Sequence, residues 1–252
     1  MYFYILASGS EGNCAVVGSG DTRVIIDCGP SVSYLKKSFE TIGVDWQKCD
    51  GLLITHAHTD HIKSVRMFER LPVYAPFPIL SLAHEKIIDP YQPFTIGTLT
   101  IVALVLSHDC DICVGYVISD GKETLVQVTD TGYISRANLE LIRGADYYIF
   151  ESNHDPEMLM ETNRPGFLKR RILSDSGHMS NEYASDILSR CLSDRTKQII
   201  LAHISQEAND YDLAYYTLKN TLVSRRQYRD SLYLKAIRQY EIYCSQDHQG
   251  GI

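Results

Sequence analysis

Three imidazoles and a carboxylate fall within six positions at His56-Ala57-His58-Thr59-Asp60-His61. The apolar run Gly51-Leu52-Leu53-Ile54-Thr55 leads directly into them, so a strand delivers the chain to one point and the polar cluster follows. At a strand end, His56 and His58 stand at i and i+2 and face the same way. Asp60 and His61 come after the chain has turned and reach a neighbouring position. This pattern suits two divalent metal ions side by side, each with its own pair of ligands. Imidazole and carboxylate without thiolate fit Zn²⁺ or Mn²⁺, and Fe²⁺ is compatible. Water bound to such an ion drops from a pKa of 15.7 to about 7, so the chemistry expected is hydrolysis at neutral pH.

The elements that must position this cluster are short. Apolar, β-branched and aromatic runs at Phe3–Leu6, Val24–Asp27, Leu52–Thr55, Leu99–Val105, Val114–Ser119, Thr124–Thr129, Tyr147–Glu151 and Ile199–His203 read as strands separated by Gly-containing turns. Amphipathic stretches at Val32–Glu40, Asp60–Arg70, Ser135–Arg143, Asn181–Leu192 and Leu213–Leu222 read as helices. Strands follow one another in the first half, and strand and helix alternate in the second. The expectation is an α/β protein of two sheets with helices outside them, and residues 1–252 as one domain.

The chain has 252 residues, 44% hydrophobic and 22% charged, which excludes disorder, collagen-like repeats and a small disulfide scaffold. No run approaches the roughly 20 apolar residues of a membrane-spanning helix. The start, MYFYILASGSEGN, lacks the basic residues of an export signal, so a cytoplasmic protein with no membrane partner is expected. The balance of 24 basic against 31 acidic residues, net −7, argues against coating nucleic acid by bulk charge. Two local basic clusters stand out: Arg164, Lys169, Arg170 and Arg171, then Arg225, Arg226 and Arg229. Either is a solvated face or a track for a phosphate backbone. The seven cysteines read as small core residues, Cys110 and Cys113 included, because no second CxxC completes a zinc ribbon.

HxHxDH after an apolar strand resembles the signature of the metallo-β-lactamase superfamily, whose fold is a four-layer αββα sandwich. That resemblance implies three more ligands, and each has a match at a strand end: His108 in Ser107-His108-Asp109, Asp130 in Thr129-Asp130-Thr131-Gly132, and His203 in Leu201-Ala202-His203-Ile204-Ser205. It implies one metal held by His56, His58 and His108, a second held by Asp60, His61 and His203, and Asp130 bridging both. His84 and His248 have no such placement and read as surface or structural residues.

Within the superfamily, three further segments, Ser8-Gly9-Ser10-Glu11-Gly12-Asn13, Glu151-Ser152-Asn153-His154-Asp155 and Gly177-His178-Met179-Ser180-Asn181, resemble the YycJ/WalJ group, regarded as 5′-to-3′ DNA exonucleases, and more distantly ribonuclease Z. The stretch Glu207-Ala208-Asn209-Asp210 departs from that group, where two adjacent asparagines are expected. The resemblance implies phosphodiester hydrolysis with DNA ends as substrate; a small cyclic-nucleotide-like phosphodiester, a thioester or a lactone is the alternative. His178, ahead of a helix, is the expected proton donor to the leaving oxygen, with Glu151 orienting it. Asn153 and His154 form either a substrate-contacting loop or an Asx turn. Ser10 and Asn13 lie in a turn whose backbone N–H groups suit a phosphate. Arg170 and Arg171 are candidates for tracking the nucleic-acid backbone.

Overall fold

The computed structural model describes residues 1–79, 82 and 85–248; His84 and the side chain of His248 lie outside what it describes. One sheet is built from β1 (Tyr2–Ala7), β2 (Cys14–Ser19), β3 (Thr22–Ile26), β4 (Gly51–Leu53), β5 (Val73–Ala75) and β6 (Glu85–Ile87). The other is built from β7 (Phe94–Ile96), β8 (Leu99–Leu106), β9 (Cys113–Ser119), β10 (Thr124–Val128), β11 (Tyr147–Glu151), β12 (Gln198–Ala202) and β13 (Tyr233–Ala236). The chain then returns, and β14 (Tyr243–Cys244) pairs with β1 to complete the first sheet. The spatial orders are β14-β1-β2-β3-β4-β5-β6 and β13-β12-β11-β10-β9-β8-β7. In each sheet the pairing is antiparallel on one side and parallel on the other, so the two halves repeat one plan.

Both faces of the central strands are buried, which is why they read as unbroken apolar runs rather than alternating ones. Period two still sorts the side chains. Phe3, Ile5, Ala15, Val17, Tyr147, Ile149, Ile200 and Ala202 fill the space between the sheets. Leu6, Val16 and Ile25 turn the other way, onto Leu35 and Phe39 of α1 (Val32–Thr41). Tyr148, Phe150, Ile199 and Leu201 face Ala184, Ile187 and Leu188 and, beyond them, Ala214 and Leu218. The result is the four-layer αββα sandwich, matching the expected fold class.

Helix starts follow local capping chemistry. Ser31, Ser135, Asp155, Ser180 and Asp210 each accept an N–H of the first turn. The first caps α1. The stretch expected as one helix over Asp60–Arg70 is instead a single turn, α2 (Thr59–Ile62), followed by a 3₁₀ segment, Val65–Phe68. Ser64 breaks it, because its N–H donates to Cys28 O and its hydroxyl to Pro30 O. The other four caps open α3 (Arg136–Ile142), α4 (Pro156–Glu161), α6 (Asn181–Cys191) and α7 (Tyr211–Ser224), while α5 (Gly166–Ile172) starts at Pro165 without a side-chain cap. No described helix is long and apolar enough to cross a membrane.

Candidate metal centre

The ends of β3, β4, β8, β10, β11 and β12 converge at one edge of the sandwich and bring Asp27, His56, His108, Asp130, Glu151 and His203 together. Three of these, Asp27, Asp130 and His203, have φ of 58°, 62° and 52°. Non-glycine residues rarely adopt the left-handed region, and each costs about 1–3 kcal/mol, so three at one point mark a site the surrounding fold enforces.

Potential ligand atoms group as His56, His58 and His108; as Asp60, His61 and His203; and as His56, His61 and Asp130, each set lying within 4.8 Å of one another. Asp130 stands between the two outer triads, 3.3 Å from His61 Nε2 and His203 Nε2 of one and 3.9 Å from His108 Nε2 of the other. His56 Nε2, Asp130 Oδ2 and His203 Nε2 are buried without a hydrogen-bond partner among the described residues. Leaving such atoms unsatisfied is costly, and a divalent cation is the partner this set of imidazoles and carboxylates fits.

The ring nitrogens that face away from the centre are held. His61 Nδ1 donates to Asp27 Oδ2 at 2.8 Å, His203 Nδ1 to Glu151 Oε1 at 3.1 Å, and His108 Nδ1 to Gly177 O at 3.3 Å. Each bond fixes the tautomer that leaves Nε2 free for a metal. Asp27 is in turn fixed by Thr55, whose N–H and hydroxyl donate to it. Burial and neighbouring imidazoles lower the pKa of His56 to about 2, so its ring is neutral and available. Burial would lower His203 as well, but Asp130, Asp60 and Glu151 outweigh it and raise the group to about 10 in the absence of a cation.

Glu151 is fully buried and all of its capacity is used. Its Oε1 takes His178 Nδ1 at 2.7 Å together with His203, and its Oε2 accepts the N–H groups of Thr131 and Met179. Burial alone would raise its pKa, yet His178 and His203 bring it down to about 2. His178 remains partly exposed at the wall of a cleft lined also by Ser10, Arg164, Leu168, Arg171 and His203. At the helix N-terminus behind His178, Asn181 N–H donates to His154 O and Tyr183 N–H to Ser180 Oγ.

The expected substrate contacts fare unevenly. Ser10, Asn153 and Arg171 line the cleft; Arg170 does not. Asn153 is nearly buried and its amide donates to His203 O, bracing that loop. His154 is buried, lies away from the cleft wall, and burial lowers its pKa to about 4. Asn13 is buried with its amide nitrogen 3.0 Å from His61 Nε2. In the turn around it the N–H groups of Ser8, Gly9, Glu11, Gly12 and Asn13 donate within the protein, while Ser10 lines the cleft. The turn also braces the centre: Asn13 N–H bonds Asp60 O, and Ser8 Oγ accepts the N–H of His203. In the second basic cluster, Arg225 and Arg229 bond Asp186 and the Ser193–Thr196 loop, so they tie α6 to the chain after α7.

Two site residues escaped the sequence reading. Asp27 ends an apolar strand in Val24-Ile25-Ile26-Asp27-Cys28-Gly29, and a carboxylate in that position was the available signal. Asp109 follows His108; its Oδ1 lies 3.2 Å from His108 Nε2 and its Oδ2 2.5 Å from Arg171 Nη1. It thereby holds Arg171 beside the first triad.

The family model described as a β-lactamase superfamily domain matches residues 22–204. The chain is 35% identical over 235 residues to exodeoxyribonuclease YycJ of Bacillus anthracis, covering 88% of this chain and 89% of the relative. It is 33% identical over 235 residues to exodeoxyribonuclease WalJ of Streptococcus pneumoniae, with 87% of each covered. Among solved structures, the metallo-β-lactamase fold protein YhfI of Bacillus subtilis superimposes with a TM-score of 0.70 at 22% identity, covering 96% of this chain and 99% of that one.

Proposed function

Since the chain belongs to the metallo-β-lactamase superfamily of metal-dependent hydrolases, we propose that it cleaves phosphodiester bonds at DNA ends, in the 5′-to-3′ direction, with two divalent cations. The observation that carries this reading is the Glu151–His178 pair: a buried carboxylate presents a cleft-facing imidazole beside the second triad. The relatives named as exodeoxyribonucleases support the choice of polymer.

In this reading His56, His58 and His108 hold one cation, Asp60, His61 and His203 the other, and Asp130 both. When bound, the cations lower the pKa of water and offset charge on the phosphoryl oxygens. The rest belongs to the side chains. Asp27, Glu151 and Gly177 O keep three ligand imidazoles in the required tautomer. His178 Nδ1–H is committed to Glu151, so Nε2 is the atom that delivers a proton to the leaving oxygen. Arg171, steadied by Asp109, supplies a cation for the phosphate as it enters.

The test uses protein loaded separately with Zn²⁺ and Mn²⁺, given linear duplex DNA with a 5′-phosphate and an internal label. Stepwise loss from the 5′ end is expected. The His178→Ala protein should keep its metal content and lose about 10²–10⁴-fold in kcat. Intact DNA alongside hydrolysis of bis-p-nitrophenyl phosphate would discard the polymer and leave a small phosphodiester as substrate; normal turnover by His178→Ala would remove the proton-donor role.

A further inference from the structure

Helix α5 combines features that the catalytic arrangement does not use. Leu168 and Ile172 anchor it on Leu159 and Ala208, which turns the remaining positions outward. Phe167 is 69% exposed, the most exposed large hydrophobic side chain among the described residues, and Met160 on α4 follows at 59%. Phe167 stands three and four residues before Arg170 and Arg171, so the ring and the two guanidinium groups share one helical face. Arg171 and Leu168 both line the cleft that holds His178 and His203, and Phe167 directly precedes Leu168 and stands one helical turn before Arg171. Residues 156–173 contain four basic and two acidic side chains, net +2, in a chain whose net charge is −7. Asp109 takes one of the five N–H donors of Arg171, so a phosphate can engage others.

We propose that α5 is a stacking platform for single-stranded nucleic acid: Phe167 stacks on the base next to the scissile phosphate, and Arg170 and Arg171 hold the backbone on either side of it. The proposal rests on the phosphodiesterase reading and adds that the end of the strand separates from its partner on entering the cleft, so a duplex is degraded from an end that opens, base by base, onto the ring. It gives exposed Arg170, outside the cleft wall, a place on the strand beyond the reacting bond. An aromatic ring accepts any base, so the grip is insensitive to sequence.

Binding is read with a short single-stranded oligonucleotide whose phosphorothioate linkages resist cleavage and which carries 2-aminopurine at its 5′ end, added to Mn²⁺-loaded protein. Wild-type protein should quench the fluorophore. Phe167→Ala should weaken the Kd about 5- to 100-fold and abolish the quenching, and Phe167→Trp should restore both. An abasic nucleotide in place of the fluorophore should weaken wild-type binding by a similar factor and add little to Phe167→Ala, since both changes remove one contact. Tyr216→Ala, which removes a ring 54% exposed on α7, should leave binding unchanged. Equal affinity and quenching for wild-type and Phe167→Ala would overturn the proposal. So would Phe167→Ala altering only self-association of the protein, which would make the ring a protein contact. Quenching and its loss in Phe167→Ala, by a wild-type protein that leaves unmodified DNA and bis-p-nitrophenyl phosphate intact with either metal, would support the platform while refuting the phosphodiesterase reading.

Discussion

Replacing Asp27 by Asn tests whether the metal centre is organised from behind, by residues that touch no metal. Asp27 accepts the Thr55 N–H at 2.9 Å, the Thr55 hydroxyl at 2.9 Å and His61 Nδ1 at 2.8 Å, and it is buried. Asparagine keeps the shape and one carbonyl oxygen, and it tolerates the positive φ at this position at least as well as aspartate. Backbone strain is therefore not introduced. The carbonyl oxygen of Asn can keep the Thr55 N–H, which points the new NH₂ group at His61 Nδ1. Two donors cannot share that contact, so the imidazole must move its proton to Nε2, the atom that faces Asp60 and Asp130. A protonated Nε2 cannot ligate. Changes of this kind behind a metal-binding histidine weaken metal affinity about 10- to 100-fold, equivalent to about 1.4–2.7 kcal/mol. Titration against a chromophoric chelator should show one of two sites weakened by that factor, with the His56–His58–His108 site close to wild-type. Far-ultraviolet circular dichroism of the variant should match wild-type. Two sites with unaltered affinities in Asp27→Asn would refute the reasoning, because His61 would then not need Asp27 to choose its tautomer.

The metal-free protein should be most stable between about pH 4.5 and 6.5. Glu151 titrates at about 2 when folded against an ordinary value of 4.5, so its contribution is present above 4.5 and is lost as pH falls toward 2. His203 titrates at about 10 against an ordinary 6.5, so its contribution is complete below 6.5 and is lost as pH rises toward 10. Saturating metal requires neutral His203 and should flatten the alkaline limb; thermal melts across pH with and without chelator check this, and a flat alkaline limb in the metal-free protein would contradict it. Gly29→Ala places a Cβ 1.5 Å from Asp60 O, against backbone that has nowhere near to move, because Asn13 N–H already bonds that oxygen. A loss of about 1–3 kcal/mol or more is expected in denaturant unfolding, together with weaker metal binding through Asp60; wild-type stability and stoichiometry would argue that the loop shifts freely.

Much of the site was legible because its chemistry is local. The His56–His61 run needs only six residues and one preceding strand to declare itself, and His108, Asp130 and His203 each end an apolar run long enough to recognise. The starts of α3 and α6 were readable for the same reason, since Ser135 and Ser180 act on residues three positions away, whereas α4 and α5, of six and seven residues, were not expected as helices. Strands β5, β6, β7 and β14, of two or three residues, carry no periodic signal, and pairing with neighbours is what makes them strands. Tertiary structure alone decided which side chains act on the ligands. Asp27 meets His61 across 34 positions and Glu151 meets His203 across 52, and nothing in the linear spacing encodes either distance. It also reassigned residues of suitable type: Asn13 and His154 are polar and stand in motifs, yet folding buries them, one against the second triad and one away from the cleft. A ligand set is written by residue type and strand end, whereas the tautomers, burial and strained backbone that ready those ligands for a metal arise only when distant segments pack together.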